Sequence, residues 1–297
     1  MSDPLVTVVM NCFNGEDFLR QAIDSVIAQT WTNWEIVFWD NQSTDGSAGI
    51  VKSYDDLRIR YHYAPTHTPL YEARNCAIEK AEGEFLAFLD VDDWWLPEKL
   101  EQQVALFADP EVAVVCGNFW VKNELKEKRW VAYGEPLPQG YILDRLLENY
   151  QVGLLTLIVR RAALPFEGSP FDPRCHMIGD FDLVIRLAAV HKVACVQTPV
   201  AVYRIHGGNE SALRRSKHVA ELECWYEQMV NDPVIGISKS LFHVRTHIEH
   251  SRAMSALLNG NRRQAIEPFR RMHWGRHKLR LLIAFFVTIS TLHKLKN

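Results

Sequence analysis

The sequence predicts an α/β fold: a doubly wound, mostly parallel β-sheet followed by a C-terminal α-helical tail. Short apolar strands alternate with amphipathic helices through the first third of the chain, which is typical of a parallel sheet with right-handed crossovers. The run from residue 85 to 89 is apolar without interruption, as in a strand buried on both faces. Carboxylates follow this run directly, at the strand end where open α/β sheets bind ligands.

The other elements follow the same alternation. Apolar, β-rich runs predict strands at residues 5–10, 34–39, 59–63 and 85–89. Apolar residues recur at helical spacing after the first strand, over 18–27, and again after the third, over 70–81. The polar segment 40–47 contains Ser and Asp residues that can cap a helix. No Gly-x-Gly-x-x-Gly and no P-loop lysine motif is present, which argues against those two classes of nucleotide site.

Three carboxylates, Asp90, Asp92 and Asp93, follow the fourth strand. Carboxylates this close repel one another unless a cation joins them, and oxygen ligands suit Mg²⁺ or Mn²⁺ better than Zn²⁺. The alternative is an acidic turn that caps the next helix, with Pro97 at its first position.

Five segments fall in the order and spacing of one known enzyme family. They are residues 11–15, Gln29-Thr30 before Trp34-Glu35, residues 40–47, Ala73-Arg74-Asn75 and residues 90–97. On these motifs the chain resembles the family 2 glycosyltransferases, and further matches reach residue 209. The resemblance implies a GT-A fold, inversion at the anomeric carbon, and a divalent metal, Mn²⁺ or Mg²⁺, on the diphosphate of a nucleotide sugar.

The resemblance also implies roles at the strand ends. Asp92 is the expected metal ligand, Asp90 faces ribose or metal, and Asp93 caps a helix or supports the ligands. Asn14, Asp40 and Arg74 are expected to bind the nucleotide sugar, with Asp40 accepting from the base, usually uracil or a related pyrimidine. From the residues alone, Asp40 as a turn former and Arg74 as a surface ion-pair partner stay open.

One departure from the family lies beside Asp40. Relatives have Asp-Asp-Gly-Ser where this chain has Asp40-Asn41-Gln42-Ser43. Two amides in place of a carboxylate and a glycine change charge and backbone freedom, so the donor preference is expected to differ.

The general base of an inverting transfer is predicted in the middle of the chain. Family members carry a Glu-Asp pair at this point, and Asp180 matches the Asp that serves as base. Gly179 stands in place of the Glu, which removes a support of the base. The alternatives are Asp182 as the base, or Asp180 as a helix cap.

A strand running into a glycine loop follows, with Arg204, His206, Gly207 and Gly208. The resemblance implies a loop that closes over the diphosphate. His206 is expected to complete the metal shell or donate to phosphate, and Arg204 to compensate charge.

The predicted catalytic domain covers residues 1–209, with a nucleotide-binding half over 1–117 and an acceptor half over 118–209. Residues 118–174 have weak patterning, and their candidates for stacking on an acceptor are Trp130, Tyr133, Tyr141 and Tyr150. The six cysteines form no C-x-x-C pair, which predicts free thiols in a reducing compartment. The first strand begins within a few residues of Met1 without a basic, apolar leader, which predicts a cytoplasmic protein without a secretory signal.

The predicted helical extension, residues 210–297, is basic. From residue 243 onward the chain has 11 Lys and Arg against 2 Asp and Glu, although the whole chain carries −3. Residues 253–272 resemble a single tetratricopeptide-like helical hairpin, and the apolar run 281–292 is flanked by basic residues between 276 and 296. This run is too short to span a bilayer, which needs about 20 residues. Contact with an anionic membrane surface and docking on the core are both open, and no nucleic-acid motif is present.

The expected function is transfer of a sugar from a nucleotide-diphosphate donor, with a UDP-sugar favoured, to a hydroxyl of a glycan or lipid-linked acceptor in bacterial surface polysaccharide synthesis. One alternative is a non-catalytic nucleotide-sugar-binding or scaffold protein. The other is a phosphoryl-transfer enzyme of the haloacid-dehalogenase type, which also places Asp-x-Asp after a strand.

Overall fold

The computed structural model describes residues 3–164, 169–209 and 215–286. These residues group into two compact units, one of 3–142 with 150–209 and the other of 143–149 with 215–286. The second unit therefore takes in a short helix, Leu143–Glu148, that the sequence placed in the acceptor half.

The first unit begins with the alternation that the sequence predicts. Its first four strands are β1 (Val6–Cys12), β2 (Trp34–Asp40), β3 (Ile59–Tyr63) and β4 (Phe85–Phe88). Helices between them are α1 (Glu16–Ile27), α2 (Ser47–Lys52) and α3 (Leu70–Ile78). The strands are parallel and lie in the order β3-β2-β1-β4, which confirms the prediction for this half.

The rest of the sheet is mixed, where the sequence predicted mostly parallel pairing. Its strands are β5 (Trp94–Trp95), β6 (Val112–Asn123), β7 (Lys128–Val131), β8 (Ile158–Arg160) and β9 (Lys192–Ile205). β8 lies antiparallel between β4 and β6, whereas β9 is parallel to β6. Antiparallel pairing needs no crossover helix, so the alternation that signals a parallel sheet is missing here. Two helices belong to this half, α4 (Lys99–Val104) and α6 (Gly179–Ala188), and α5 is Leu143–Glu148 of the second unit.

Burial fixes the positions of the carboxyl ends of β1 and β2. Every residue of β1 and β2 is buried. Val8 and Met10 of β1 share one apolar core with Leu19 and Ile23 of α1. The loops that follow β1 and β2 therefore start from a packed sheet, in which even the polar Thr7 and Glu35 are buried.

The second unit is helical. Its helices after α5 are α7 (Arg215–Met229), α8 (Leu241–Leu258), α9 (Arg262–Arg271) and α10 (Arg276–Phe286). Gly260, with φ of 75°, and the Asn261 side chain, which caps α9, turn α8 into α9 and form the predicted hairpin.

The last described helix, α10, packs on this hairpin through one face. Leu281 and Ala284 are buried in a core shared with Leu257 of α8 and Ala265 of α9. The rest of the predicted apolar run, together with Lys294 and Lys296, lies outside the described residues. Among the helices that the structure describes, none is both long and apolar enough to cross a bilayer.

Candidate active site

Asn14 joins the loops that follow β1 and β2. Its backbone N–H donates to Ser43 Oγ at 3.0 Å, and its Oδ1 accepts from the Thr44 N–H at 2.8 Å. Its φ of 55° lies in the left-handed region, which Asn tolerates better than most residues. Asn14 therefore fixes the loop after β1 to the loop after β2, and its binding of a nucleotide sugar stays a prediction.

Asp40, at the end of β2, is fully buried. Its Oδ1 accepts from the Ser43 N–H and its Oδ2 from the Tyr61 hydroxyl, both at 2.7 Å. Burial and the hydrogen bond to Asp40 raise the pKa of Tyr61. The turn-forming role, one of the two open alternatives, is thus present; binding of a base by Asp40 stays a prediction.

The two amides that distinguish this chain from its relatives both hold the β2 loop. Asn41 Nδ2 donates to the Thr68 carbonyl at 2.8 Å, and Gln42 Nε2 donates to the Pro65 carbonyl at 3.0 Å. Gln42 adopts a φ of 70°, which explains why glycine is common at this position. The side-chain bond of Gln42 offsets the backbone strain that a non-glycine residue incurs there.

Arg74 of α3 is buried, 3 % exposed, and its guanidinium pairs with Asp90 Oδ1 beyond β4. The open alternative of a surface ion pair is therefore wrong for Arg74. The pair ties the middle of α3 to residues 90–93, the acidic loop, through one oxygen of Asp90.

Asp92 and His206 come together from distant parts of the chain. His206 Nε2 lies 3.0 Å from Asp92 Oδ2, and Asn209 Nδ2 lies 3.5 Å from the same oxygen. Asn209 Oδ1 also accepts from the His206 N–H at 2.6 Å, which holds the glycine loop. Burial and the negative charge of Asp90 raise the pKa of Asp92, against the opposing effect of His206.

This arrangement fits a cation shared with a ligand better than a metal held by protein alone. Across 3–164, 169–209 and 215–286, no three His, Cys, Asp or Glu side chains are placed to hold a metal ion. Mg²⁺ and Mn²⁺ commonly take one or two protein ligands and complete their shell with phosphate oxygens and water. Burial and, after it, the negative charge of Asp90 raise the pKa of Asp92, and a bound cation would favour its ionised form.

Asp93 and Arg204 join the acidic loop to β9 by hydrogen bonds. Asp93 Oδ1 accepts from the Arg204 N–H at 2.8 Å, and Arg204 Nε donates to the Asp92 carbonyl at 2.8 Å. The Arg204 guanidinium lies 4.4 Å from the centre of the Phe18 ring and 4.5 Å from that of Trp94. Asp93 thus holds β9 instead of capping a helix, and the side chain of Arg204 is engaged within the protein.

Asp180 lies in the first turn of α6. Its Oδ1 accepts from the Tyr71 hydroxyl at 3.0 Å. Burial raises the pKa of Asp180, while the positive charge of Arg74 and the Tyr71 hydrogen bond lower it. Asp182, the alternative base, pairs with Arg186 one turn later at 2.8 Å, which stabilises the helix.

Sequence reasoning missed two side chains at this site. Tyr71 precedes Arg74 by three residues, so helical spacing places both on one face, a signal that was present in the sequence. Asn11, near the end of β1, is buried, and neither polar atom of its side chain has a hydrogen-bond partner among the described residues. Its signals in the sequence were an amide after an apolar run and its place in the motif 11–15.

Comparisons with known proteins show the family of the chain. Glycosyl transferase family 2 matches residues 7–164, more than half of the chain. The chain is 33 % identical over 172 residues to the Escherichia coli UDP-Glc:alpha-D-GlcNAc-diphosphoundecaprenol beta-1,3-glucosyltransferase WfgD, over 58 % of this chain and 66 % of WfgD. It is 31 % identical over 166 residues to the putative teichuronic acid biosynthesis glycosyltransferase TuaG of Bacillus subtilis, over 53 % of this chain and 63 % of TuaG. The chain thus spans less than two thirds of the length of either relative.

Solved structures share the fold at low sequence identity. TarS of S. aureus (residues 1–349), in complex with UDP, has a TM-score of 0.61 and 16 % identity, with 89 % of each chain covered. The mannosyltransferase PcManGT of Pyrobaculum calidifontis, in complex with GDP-Man and Mn²⁺, has a TM-score of 0.65 and 16 % identity, over 95 % of this chain and 80 % of that one. The fold is the predicted GT-A α/β fold. The matched segment carries the motifs at the ends of β1, β2 and β4, and the chain belongs to glycosyl transferase family 2.

Proposed function

We propose that the protein is an inverting, metal-dependent glycosyltransferase. It moves a sugar from a nucleotide-diphosphate donor, preferably a UDP-sugar, to a hydroxyl of a glycan or lipid-linked acceptor. The names of WfgD and TuaG, one a UDP-glucose transferase onto a lipid diphosphate, support a role in bacterial surface polysaccharide synthesis. The complex of TarS with UDP supports the choice of nucleotide. The family match speaks against the haloacid-dehalogenase alternative.

One observation carries the proposal. A continuous set of contacts runs from Asp180 through Tyr71 and Arg74 of α3 to Asp90, two residues before Asp92. Asp180 of α6, a carboxylate suited to deprotonating an acceptor, is thus linked through Tyr71 to the helix whose Arg74 anchors Asp90. In the proposed transfer, Asp180 would act on the acceptor hydroxyl and the acidic loop would hold the departing diphosphate.

On the donor side, Asp92 and His206 would hold Mn²⁺ or Mg²⁺, and Asp90, which pairs with Arg74, would bind ribose or the cation. When bound, the cation would neutralise the charge that develops on the leaving diphosphate. Asn14 and Asp40 would shape the pocket for the nucleotide base. Arg204 would hold the main chain of Asp92 in place.

On the acceptor side, Asp180 would take the proton of the attacking hydroxyl. The O–H bond breaks while the oxygen bonds to the anomeric carbon, and the bond from that carbon to the diphosphate oxygen breaks on the opposite face, which inverts the configuration. Burial, by raising the pKa of Asp180, makes its carboxylate a stronger base than an exposed one.

A thermal-shift screen tests the donor site. UDP-, GDP-, dTDP- and CMP-linked sugars are added with Mn²⁺, Mg²⁺ or EDTA to the full chain. A UDP-sugar with Mn²⁺ at about a hundredfold excess over Kd should raise Tm by about 5 °C or more, because it binds only the folded protein. EDTA and Asp92→Asn should both remove the shift.

Asp109→Asn is the matched control, because it removes an exposed carboxylate that pairs with Lys192 on another part of the surface. A metal-dependent shift without transfer to any acceptor would favour the non-catalytic binding or scaffold protein. A well-folded sample with no shift from any donor would contradict the proposed donor site.

We further propose that the second unit contacts an anionic membrane surface, consistent with a lipid-linked acceptor at the cytoplasmic face. Leu279, Ile283 and Phe286 form one face of α10 and are 54 %, 58 % and 83 % exposed. Residues 262–286 contain seven Lys and Arg but only Glu267 as an acid. The exposed apolar side chains suit the acyl region of a membrane, and the surrounding Lys and Arg suit anionic lipid headgroups.

Cosedimentation with vesicles tests this contact. The protein should bind phosphatidylcholine vesicles that contain phosphatidylglycerol, and added salt should weaken the binding. The double variant Leu279→Ser/Ile283→Ser should bind at least about tenfold more weakly, because two half-exposed side chains no longer enter the lipid. Leu57→Ser removes a leucine that is 98 % exposed in the first unit and serves as control. Equal binding by the double variant and the wild type would contradict the proposal.

A further inference from the structure

The ring of Tyr71 occupies the space beside Gly179. A Cβ atom added to Gly179 would lie 2.7 Å from Cδ2, Cε2 and Cζ of Tyr71, closer than real Cβ contacts come. Gly179 is buried at the start of α6, and its backbone is not in the left-handed region. The absence of a side chain at Gly179 therefore serves to admit the ring.

Tyr71 is held firmly in this place. It is 3 % exposed and stacks on Phe171 with 5.2 Å between ring centroids. Phe171 is in turn fixed by Asn75, whose side chain exchanges two hydrogen bonds with the Phe171 backbone at 2.8 and 3.0 Å. The Tyr71 hydroxyl consequently reaches Asp180 Oδ1 from a packed support.

We infer that Tyr71 is a positioning residue for Asp180: its hydroxyl donates to Oδ1 and holds the carboxylate in place to take the proton of the acceptor hydroxyl. This inference rests on the proposed role of Asp180 as the base. This role also accounts for Gly179. Position 179 has no side chain to support the Asp180 carboxylate, and the Tyr71 hydroxyl of α3 provides that support instead. Burial raises the pKa of Tyr71 well above its usual value, so the hydroxyl keeps its proton and remains a donor.

Groups from several segments bear on Asp180, and within α6 the backbone N–H groups of Asp180 and Phe181 donate to its carboxylate. Tyr71 and Arg74 approach from α3, the first through its hydrogen bond and the second through its positive charge. Tyr150 approaches from the segment after α5, packs on Phe181 at 5.1 Å between ring centroids and interacts electrostatically with Asp180. Its buried hydroxyl has no hydrogen-bond partner among the described residues. Of these groups, Tyr71 is the hydroxyl that donates to the carboxylate.

The variant Tyr71→Phe tests the inference, because it keeps the ring against Gly179 and removes only the hydroxyl. A hydrogen bond to a charged group typically accounts for a 10- to 100-fold effect, so kcat should fall by about that factor while the donor KM stays unchanged. The hydrogen bond lowers the pKa of Asp180, so its loss should move the acidic limb of the kcat profile to higher pH. Tyr54→Phe is the matched control, because it removes a hydroxyl that donates to Asp24 at 2.7 Å elsewhere on the unit.

The outcomes separate this inference from the proposed function. If Asp180→Asn abolishes transfer while Tyr71→Phe keeps the wild-type kcat and pH profile, the role of Tyr71 is wrong and the base stands. If Asp180→Asn transfers normally, the base assignment falls. A Tyr71→Phe variant whose kcat falls without a shift in the pH profile has lost only structural support, which would also overturn the inference.

A second pair of variants tests the shared space. Gly179→Ala should lower Tm, because its Cβ meets the Tyr71 ring. In the double variant Gly179→Ala/Tyr71→Ala the loss of Tm should be smaller than the sum of the two single losses, since the ring is no longer present to collide. Additive losses would contradict the packing of Tyr71 against Gly179.

Discussion

Replacing Asp180 by Asn is expected to lower kcat by about 10²- to 10⁴-fold, the range that a general base contributes. Asn has nearly the same shape and still accepts from the Tyr71 hydroxyl, but its amide cannot take the proton of an acceptor. Donor binding, measured by calorimetry with Mn²⁺ present, should change little, because no described hydrogen bond links Asp180 to the acidic loop directly. The loss would thus appear in turnover and not in affinity.

Asp182→Asn provides the control within the same helix turn. Asp182 pairs with Arg186, so its loss should reduce Tm with little effect on kcat of the folded protein. If Asp182→Asn lost turnover while Asp180→Asn retained it, the two assignments would be reversed. Equal retention by both variants would contradict a carboxylate base in α6.

The second large effect concerns stability: Asp90→Ala should destabilise the fold strongly, and Asp92→Ala should not. Asp90 is the partner of Arg74, which is 3 % exposed, so its removal leaves a buried guanidinium unpaired. Breaking a buried pair costs about 3–5 kcal/mol; because the Asp90 side chain is 42 % exposed, we expect about 2 kcal/mol or more.

The expected effect of Asp92 on stability is opposite to that of Asp90. Burial and Asp90 raise its pKa above that of the unfolded chain, so ionised Asp92 disfavours the folded state, and this cost appears as pH rises through the unfolded value. Asp92→Ala should therefore leave the free energy of unfolding unchanged or increased at pH 7 without metal, although it removes the proposed cation ligand.

Urea unfolding of the two alanine variants at pH 7 in EDTA measures this difference. The free energy of unfolding of Asp92→Ala should equal or exceed that of the wild type. That of Asp90→Ala should be lower by the full stability cost of losing the pair. Adding Mn²⁺ with a UDP-sugar should stabilise the wild type and neither variant. Equal free energies of unfolding for the two variants would show that the Arg74–Asp90 pair does not anchor α3.

The elements that follow local rules were predictable from the sequence. The apolar run before Asp90 became β4, because a strand buried on both faces is apolar throughout. The periodic segment after β1 became α1, because one face of a helix recurs every 3.6 residues. The motif spacing likewise predicted Asp92 and Asp180 as candidates. For Asp40 the sequence left a base-binding and a turn-forming role open; the structure shows the turn, and base binding stays a prediction.

The sequence by itself thus determined the strand alternation, the family and the candidate carboxylates. Only the tertiary structure decided which groups meet: Asp92 with His206, 114 residues apart, and Asp180 with Tyr71, 109 residues apart. It also decided that Arg74 is buried on Asp90 and that the second half of the sheet is mixed. The physical reason is that periodicity and capping act over a few residues, whereas pairing across the sheet and exclusion of water depend on how distant elements pack.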